Sequence, residues 1–125
     1  MIRAIILVGL GGGLGSIFRY LISAGLTRYF PGIFPLGTFG VNVLGCLVAG
    51  VVLGLLERQQ ITNPDLRFLL VAGFCGGFTS FSAFASENIT LLLSGNSWTA
   101  FLYIALSIII CLLAVWVGLW VSDFL

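Results

Sequence analysis

The sequence has no histidine and no lysine, and its only charged side chains are five arginines and four acidic residues. Charged residues make up 7% of the chain, whereas soluble proteins carry roughly 25%. So few charges exclude a water-facing surface over most of the molecule. The formal net charge of +1 also excludes a large basic patch, so we expect no nucleic-acid partner.

The groups that catalysis needs are equally scarce. Without histidine there is no nucleophile–base–acid set. Glu87 is the one carboxylate inside an apolar run, so a general acid–base pair is not available either. The Gly11-Gly12-Gly13 run is not followed by Lys-Ser/Thr and does not form a phosphate-binding loop. We expect the chain not to be an enzyme.

Cysteine is represented by three residues, Cys46, Cys75 and Cys111, which all lie inside apolar runs. Their spacing matches neither a zinc pattern nor a disulfide framework, so each is interpreted as a small hydrophobic residue. Arg3 followed by an apolar run also resembles the start of a signal peptide. No small-residue cleavage site is evident, however, and the rest of the chain is apolar enough to need a membrane.

Apolar residues are abundant, at 60% of the chain, and they form four long runs. A membrane-spanning helix needs about 20 predominantly apolar residues, and proline, glycine and polar residues separate the runs. The sequence predicts an all-α integral membrane four-helix bundle with a single domain over residues 1–125. Its helices are expected at about residues 2–26, 36–56, 66–93 and 98–121. We expect a multi-pass protein of the plasma (cell inner) membrane, surrounded by the lipid bilayer.

The arginines are distributed almost evenly over the two ends of the predicted bundle. Arg3, Arg58 and Arg67 fall on one side, and Arg28 falls on the other with Arg19 nearby. Arginine and lysine asymmetry orients membrane proteins, and the asymmetry here is weak. Either a small bias is sufficient, or the chain inserts in both orientations.

Polar side chains recur at helical spacing in the second and fourth runs, although polar groups in lipid are costly. Thr38, Asn42 and Cys46 are spaced four residues apart, as are Tyr103 and Ser107. Each set therefore shares one helix face. These groups either form hydrogen bonds between helices or line a path for a solute, and Tyr103 is also explained by a position near the membrane interface.

The third run is the richest in polar residues. Thr79, Ser82 and Ser86 form a stripe of hydroxyls at helical spacing, and Phe81 and Phe84 lie on a second stripe. Single hydroxyls can bond back to their own helix, and two phenylalanines are often ordinary packing. So many polar residues in one short stretch are harder to explain in this way.

The paired glycines Gly76 and Gly77 precede Thr79 near the middle of the third run. Such a sequence can break a spanning helix, and broken backbone at this depth must be buried in protein or line a wet cavity. Carbonyls exposed at a break can coordinate a small cation such as sodium. A kink that only helps packing explains the same residues, and both interpretations stay open.

The three polar runs together predict an uncharged stripe shared by three helices. Its lining offers hydroxyl and amide donors and the positive edges of phenyl rings. Donors and ring edges suit an anion better than a cation. A small anion with a strong demand for hydrogen bonds fits best, because short donors can replace its water.

Three motifs follow one another along the chain and account for most of these residues. They are Gly11-Gly12-x-x-Gly15-x-x-x-Arg19-Tyr20, Gly37-Thr38-x-x-Val41-Asn42-x-x-Gly45 and Gly73-x-Cys75-Gly76-Gly77-x-Thr79-Ser80-Phe81-Ser82-x-Phe84. In order and spacing they resemble the small fluoride channels of the Fluc type, also called the CrcB family. The third motif is the most specific.

The resemblance implies a fluoride-selective ion channel that gives passive fluoride efflux and lowers cytoplasmic fluoride. It implies a dual-topology antiparallel homodimer of four-helix subunits, with two fluoride pores per dimer and a broken third transmembrane helix. It also implies a sodium ion at the dimer interface that is structural and not transported.

Pore residues follow from the same resemblance. Phe81 and Phe84 match the paired phenylalanines whose ring edges line the pores, and Asn42 matches the pore asparagine. Tyr103 and Ser107 match the polar track of the fourth helix.

The remaining expected site residues surround the predicted break. Gly76 and Thr79 match the residues whose carbonyls hold the sodium ion, and Ser82 is included with the pore residues. Arg19 is expected to be structural, near a membrane surface or vestibule.

Two positions depart from the family pattern, and two alternative functions remain. Ser80 stands where the family often has threonine, and Ala83 stands where many members have a hydroxyl, so Ala83 is left out of the site. Glu87 is given no role.

A small four-helix multidrug antiporter is one alternative function, but that class depends on a glutamate in its first helix, which is absent here. The other is a non-transporting membrane assembly subunit, which the polar stripes argue against.

Overall fold

The computed structural model describes residues 1–59 and 63–125, and over these residues it is helical without strands. Helix α1 spans Ile2–Tyr29 and α2 spans Leu36–Arg58. The third span, Pro64–Leu93, consists of α3, which covers residues 64–78, and α4, which covers Phe81–Leu93. Helix α5 spans Ser97–Ser122. Within the described residues this gives four spans that are long and apolar enough to cross a membrane, as predicted.

The observed helices extend one to three residues beyond most of the predicted ends. The apolar runs locate only the lipid-embedded part, and polar helix formers such as Glu57 and Arg58 continue the helix past it. The sequence Asn63-Pro64-Asp65 predicts a turn and helix cap at the start of the third span, and this is confirmed, since the Asn63 side chain accepts a hydrogen bond from the Asp65 amide at 3.0 Å. The polar run Glu57-Arg58-Gln59-Gln60 is expected from the sequence to end the second span, and Gln60 lies outside the described residues.

Helices α1 and α3 pack with their backbones almost in contact. A Cβ atom on Gly15 would overlap the Phe74 carbonyl oxygen and would lie 2.8 Å from the Phe78 amide nitrogen. A Cβ atom on Gly77 would lie 2.5 Å from the Gly12 carbonyl oxygen. Small residues permit this approach between membrane helices, so these glycines fix α3 against α1.

Helices α2 and α5 run parallel with an equally close contact. A Cβ atom on Gly50 would overlap the Val115 carbonyl oxygen, and Arg58 forms an ion pair with Asp123 at the helix ends. Glycine in a spanning helix usually permits close helix contact, and the sequence therefore predicts packing roles for Gly9, Gly45, Gly50 and Gly54. The assignment is confirmed for Gly50, and also for Gly45 and Gly54, which face neighbouring side chains. It is wrong for Gly9 within the described chain, because a Cβ atom there would meet nothing within 4 Å.

The third span changes geometry twice along its length. Arg67–Cys75 has π-type hydrogen bonding, and the helix then ends after Phe78. Thr79 has φ −85° and ψ 156°, and Ser80 has φ −144° and ψ 111°, which are extended conformations. The Ser80 hydroxyl accepts a hydrogen bond from the Ala83 amide at 3.1 Å and caps α4.

The paired glycines do not carry this change of backbone geometry. Gly76 and Gly77 both lie in the helical segment Gly76–Phe78, and the extended residues begin at Thr79. Helix α4 then packs mainly on α5 and touches α2. Its other face is left open, with Phe81 exposed at 78% and the hydroxyl-bearing Ser82 also exposed.

Candidate functional site

Asn42 on α2 binds the extended residues of the third span through both of its polar atoms. Its Oδ1 accepts a hydrogen bond from the Ser80 amide at 2.8 Å, and its Nδ2 donates to the Ser80 carbonyl at 3.3 Å. The Asn42 Oδ1 atom thereby replaces the helical acceptor of the Ser80 amide, while the Asn42 Nδ2 atom adds a second donor to the Ser80 carbonyl, which also caps α4. Because a side-chain amide nitrogen carries two hydrogens, one N–H of Asn42 remains for another acceptor.

These bonds release two backbone carbonyls from the helix pattern. In a continuous helix the Ser80 amide would reach the Gly76 carbonyl, and the Ala83 amide would reach the Thr79 carbonyl. Here the first amide donates to Asn42 and the second to the Ser80 hydroxyl. The Gly76 and Thr79 oxygens are therefore deprived of their usual donors, as acceptors for a cation must be.

Arg19 lies beside the same stretch of backbone. Its Nε donates a hydrogen bond to the Gly77 carbonyl at 3.1 Å, which ties α1 to the last turn of α3. Arg19 also lines a cavity of about 600 Å³, here called the arginine cavity. Its polar lining is Arg19, Tyr20, Ser23, Thr27, Arg28, Thr38, Ser80 and Glu87.

Glu87 on α4 is held by side chains from two other helices. One carboxylate oxygen accepts a hydrogen bond from the Thr38 hydroxyl at 2.8 Å, and the other accepts from the Tyr103 hydroxyl at 2.9 Å. Tyr103 is completely buried. Glu87 is assigned no role from the sequence, because the cluster forms only where three helices meet. The sequence indicates this cluster only indirectly, because Thr38 and Tyr103 are polar positions within spanning helices and therefore need hydrogen-bond partners.

Four of the predicted pore residues line one cavity of about 260 Å³, here called the phenylalanine cavity. They are Asn42, Phe81, Phe84 and Ser107. The Ser107 hydroxyl is buried and has no hydrogen-bond partner among the described residues. Such orphaned groups are uncommon in folded proteins, so the cavity offers an unused donor.

The aromatic rings form a connected series around this cavity. The centroids of Phe81 and Phe84 are 5.5 Å apart with their planes tilted by 46°. The ring centroids of Phe84 and Tyr103 are 4.9 Å apart in an edge-to-face arrangement. Ring edges carry partial positive charge, so rings held at an angle can direct an edge toward the cavity.

Two predicted pore residues lie outside the lining of the phenylalanine cavity. Tyr103 is bonded to Glu87 and packs against Phe84 instead. Ser82 is exposed on the open face of α4, with its hydroxyl 3.3 Å from that of Ser80. Among the residues that the structure describes, no group of three or more histidine, cysteine or acidic side chains could hold a metal.

Comparison with known proteins gives consistent matches over nearly the whole chain. A family profile described as "CrcB-like protein, Camphor Resistance (CrcB)" matches residues 6–119. A "Fluoride-specific ion channel FluC" of Flavobacterium psychrophilum is 46% identical over 121 residues, covering 97% of this chain and 98% of that protein. Proteins of the same name show 47% identity over 118 residues in Nitratidesulfovibrio vulgaris, covering 94% of both chains, and 44% over 121 residues in Phocaeicola vulgatus, covering 97% and 99%.

These relatives are named as ion channels and not as enzymes. With four apolar spans in the described part of the chain, they identify a multi-pass membrane protein.

Proposed function

The chain belongs to the CrcB-like family, and we propose that it is a fluoride-selective ion channel of the plasma membrane. It lets fluoride leave the cell passively and so lowers cytoplasmic fluoride. The observation that carries this proposal is the phenylalanine cavity. There the orphaned Ser107 hydroxyl and the spare N–H of Asn42 meet two tilted phenyl rings without a carboxylate in the lining.

In this proposal the anion enters through the arginine cavity. Arg19 and Arg28 line it together with the Glu87 carboxylate, so the lining keeps an excess of positive charge, and such an excess raises the local concentration of anions. Hydrogen bonds from Thr38 and Tyr103 hold the Glu87 carboxylate in place. The two cavities share Ser80 in their linings, so an anion passing Ser80 moves from the arginines to the phenyl rings.

Selectivity follows from the kind of donor in the narrow part of this path. Hydroxyl and amide donors with ring edges can replace the water of a small ion at short distance. A larger halide binds water less tightly and gains less from short donors. Fluoride therefore has more to gain than chloride from the phenylalanine cavity.

The functional unit in this proposal is an antiparallel homodimer with two pores. Support comes from the open face of α4, where the exposed Phe81 and the hydroxyl of Ser82 would otherwise face lipid. Polar side chains within a membrane usually face protein or a wet cavity. The nearly even distribution of arginines supports insertion in both orientations.

A structural sodium ion at the dimer interface completes the proposal. The residues present fit such an ion, because the Gly76 and Thr79 carbonyls have lost their helical donors. Two copies would supply four oxygens without a fixed negative charge, a set that suits sodium better than a divalent ion. A cation held between two copies stabilises the dimer by mass action. Dimer dissociation in sodium should therefore be weaker than in a large organic cation such as N-methylglucamine.

The direct test is fluoride efflux from liposomes that contain the purified protein, recorded with a fluoride electrode. We expect release of fluoride and retention of chloride. Equal release of both ions would contradict the selectivity, and proton-coupled export of an organic cation would instead identify an antiporter. Absence of any flux from correctly folded protein would favour a non-transporting assembly subunit.

A further inference from the structure

Helices α2 and α5 are aligned in a constant register. Residues 65 positions apart in the sequence meet at Gly50 with Val115, at Gly54 with Leu119 and at Arg58 with Asp123. Because the helices run parallel and the contacts recur every four residues, the same register continues toward their first turns. It brings Asn42 beside Ser107, which line the same cavity.

Cys46 and Cys111 occupy the next step of this register, between the pair Asn42–Ser107 and the pair Gly50–Val115. Both line the phenylalanine cavity, and their thiols are neighbours. Both are free and only partly buried, whereas Cys75 is buried on α3. The near contact of the backbones at Gly50 and Val115, one turn further along, holds the two thiols opposite each other.

Two facing thiols in an apolar cavity are suited to a particular class of ligand. Thiolates prefer soft metal ions such as copper(I) over sodium or magnesium. A soft ion that takes two ligands in a line needs only two sulfurs, and so does not require the larger clusters that are absent from the described residues. Its position would be one helical turn from Asn42 and Ser107.

We propose that Cys46 and Cys111 form a dithiol site for soft, two-coordinate metal ions, and that a bound ion closes the anion path. In the binding step each thiol gives its proton to water and each sulfur forms one bond to the metal, without electron transfer. Mercury(II) as the probe gives RS–Hg–SR and two protons. The closure rests on the proposed channel function, but the binding does not.

Binding is tested first by intact mass spectrometry of the detergent-purified protein after mercuric chloride is added and the excess is removed. We expect the chain to gain the mass of one mercury atom less that of two protons, which identifies two thiolates on one ion. The Cys75→Ala variant should show the same gain. A gain of mercury with only one proton lost would overturn the assignment to Cys46 and Cys111. So would the absence of a mercury ion bridged by two thiolates in Cys75→Ala.

Closure is tested by fluoride efflux from liposomes, as the ratio of rates with and without mercuric chloride for each protein. We expect the rate to fall at least about tenfold in the unmodified protein and in Cys75→Ala, equivalent to about 1.4 kcal/mol in the barrier. The ratio should stay near one in Cys46→Ala and Cys111→Ala, and dithiothreitol should restore efflux. Unchanged efflux from protein whose mass shows the bridged ion would overturn closure alone. Absence of efflux without mercury would contradict the proposed function and leave the binding result standing.

Discussion

The two halves of the third span differ in what holds them and in what they carry. Helix α3 lies against α1 through glycine contacts that leave no space for a Cβ atom at Gly15 or Gly77. Helix α4 packs more loosely on α5 and α2 and has an open face with Phe81 exposed. The anchored half carries few polar side chains, whereas the loosely packed half carries Glu87 and the cavity-lining Phe81 and Phe84.

Within one span, α3 therefore provides structural support, and α4 carries the side chains of the candidate site. The extended residues Thr79 and Ser80 join the halves; Asn42 binds the backbone of Ser80 within this junction, and Arg19 binds the Gly77 carbonyl just before it. The first half thus fixes where the second begins. Substitutions in the anchored half should affect folding, and substitutions in the loose half should affect ion flux.

The largest effect is expected for Gly15→Val. The new side chain would overlap the Phe74 carbonyl, and backbone cannot move as a flexible side chain can. Overpacking costs roughly 1–3 kcal/mol and occasionally more, and we expect the upper end or loss of folded protein. The measurement is the monodisperse fraction in size-exclusion chromatography. The control is Gly13→Val on the same helix, where a Cβ atom meets nothing within 4 Å. An equal loss of monodisperse protein in both variants would contradict the conclusion that close glycine contacts hold α3 against α1.

The junction itself is tested by Asn42→Leu, which should lower both stability and efflux. Leucine leaves the Ser80 amide without its acceptor, at about 1–3 kcal/mol for a buried unsatisfied group, and removes the donor to the Ser80 carbonyl, which keeps its bond as the N-cap of α4. Asn42→Asp keeps an acceptor for the Ser80 amide but lacks the N–H donors and adds negative charge. We therefore expect aspartate to recover part of the thermal stability and none of the fluoride efflux. Recovery of efflux by aspartate would show that Asn42 serves only the backbone.

A smaller effect is expected for Phe84→Ile. Isoleucine keeps an apolar side chain but removes the ring's edge-to-face contact with Tyr103, which should cost about 0.5–1.5 kcal/mol of stability. It also removes the ring edge, and we expect efflux to fall up to about tenfold, or about 1.4 kcal/mol in the barrier. Phe81→Ile should behave alike. The control is Phe101→Ile, because Phe101 is exposed on α5 and stacks on Trp98 away from the cavity. Unchanged efflux in both test variants would leave the phenylalanines as packing residues.

The smallest effect is expected for Ser82→Ala. Its hydroxyl is exposed and only 3.3 Å from that of Ser80 in the single chain, and exposed substitutions usually change stability by less than about 0.5 kcal/mol. We expect efflux to fall by less than about threefold, or 0.65 kcal/mol in the barrier. A larger fall without loss of stability would place Ser82 in the pore, as the sequence predicts, and would show that a second copy completes the path at the open face of α4.

The sequence predicted the features that local periodicity encodes. Apolar runs located the spans, and the cost of an amide in lipid identified Asn42 as a residue in need of partners. Periodicity did not reveal that this partner is the Ser80 backbone, or that Thr38 and Tyr103 meet at Glu87, because these contacts depend on register between separate helices. The extended backbone likewise begins at Thr79 and not at the paired glycines, since Gly77 is needed for contact with α1.

The parallel register of α2 and α5 has a consequence for how the length of the chain can vary. Each inserted residue turns the following part of an α-helix by about 100°. An insertion after Cys46 would therefore swing Gly50 and Gly54 away from Val115 and Leu119 while Asn42 stayed beside Ser107. The contacts before and after the insertion would then require different rotations of α2 about its axis relative to α5. Insertions and deletions should accordingly be tolerated in the loop of residues 30–35 and excluded from the interior of α2.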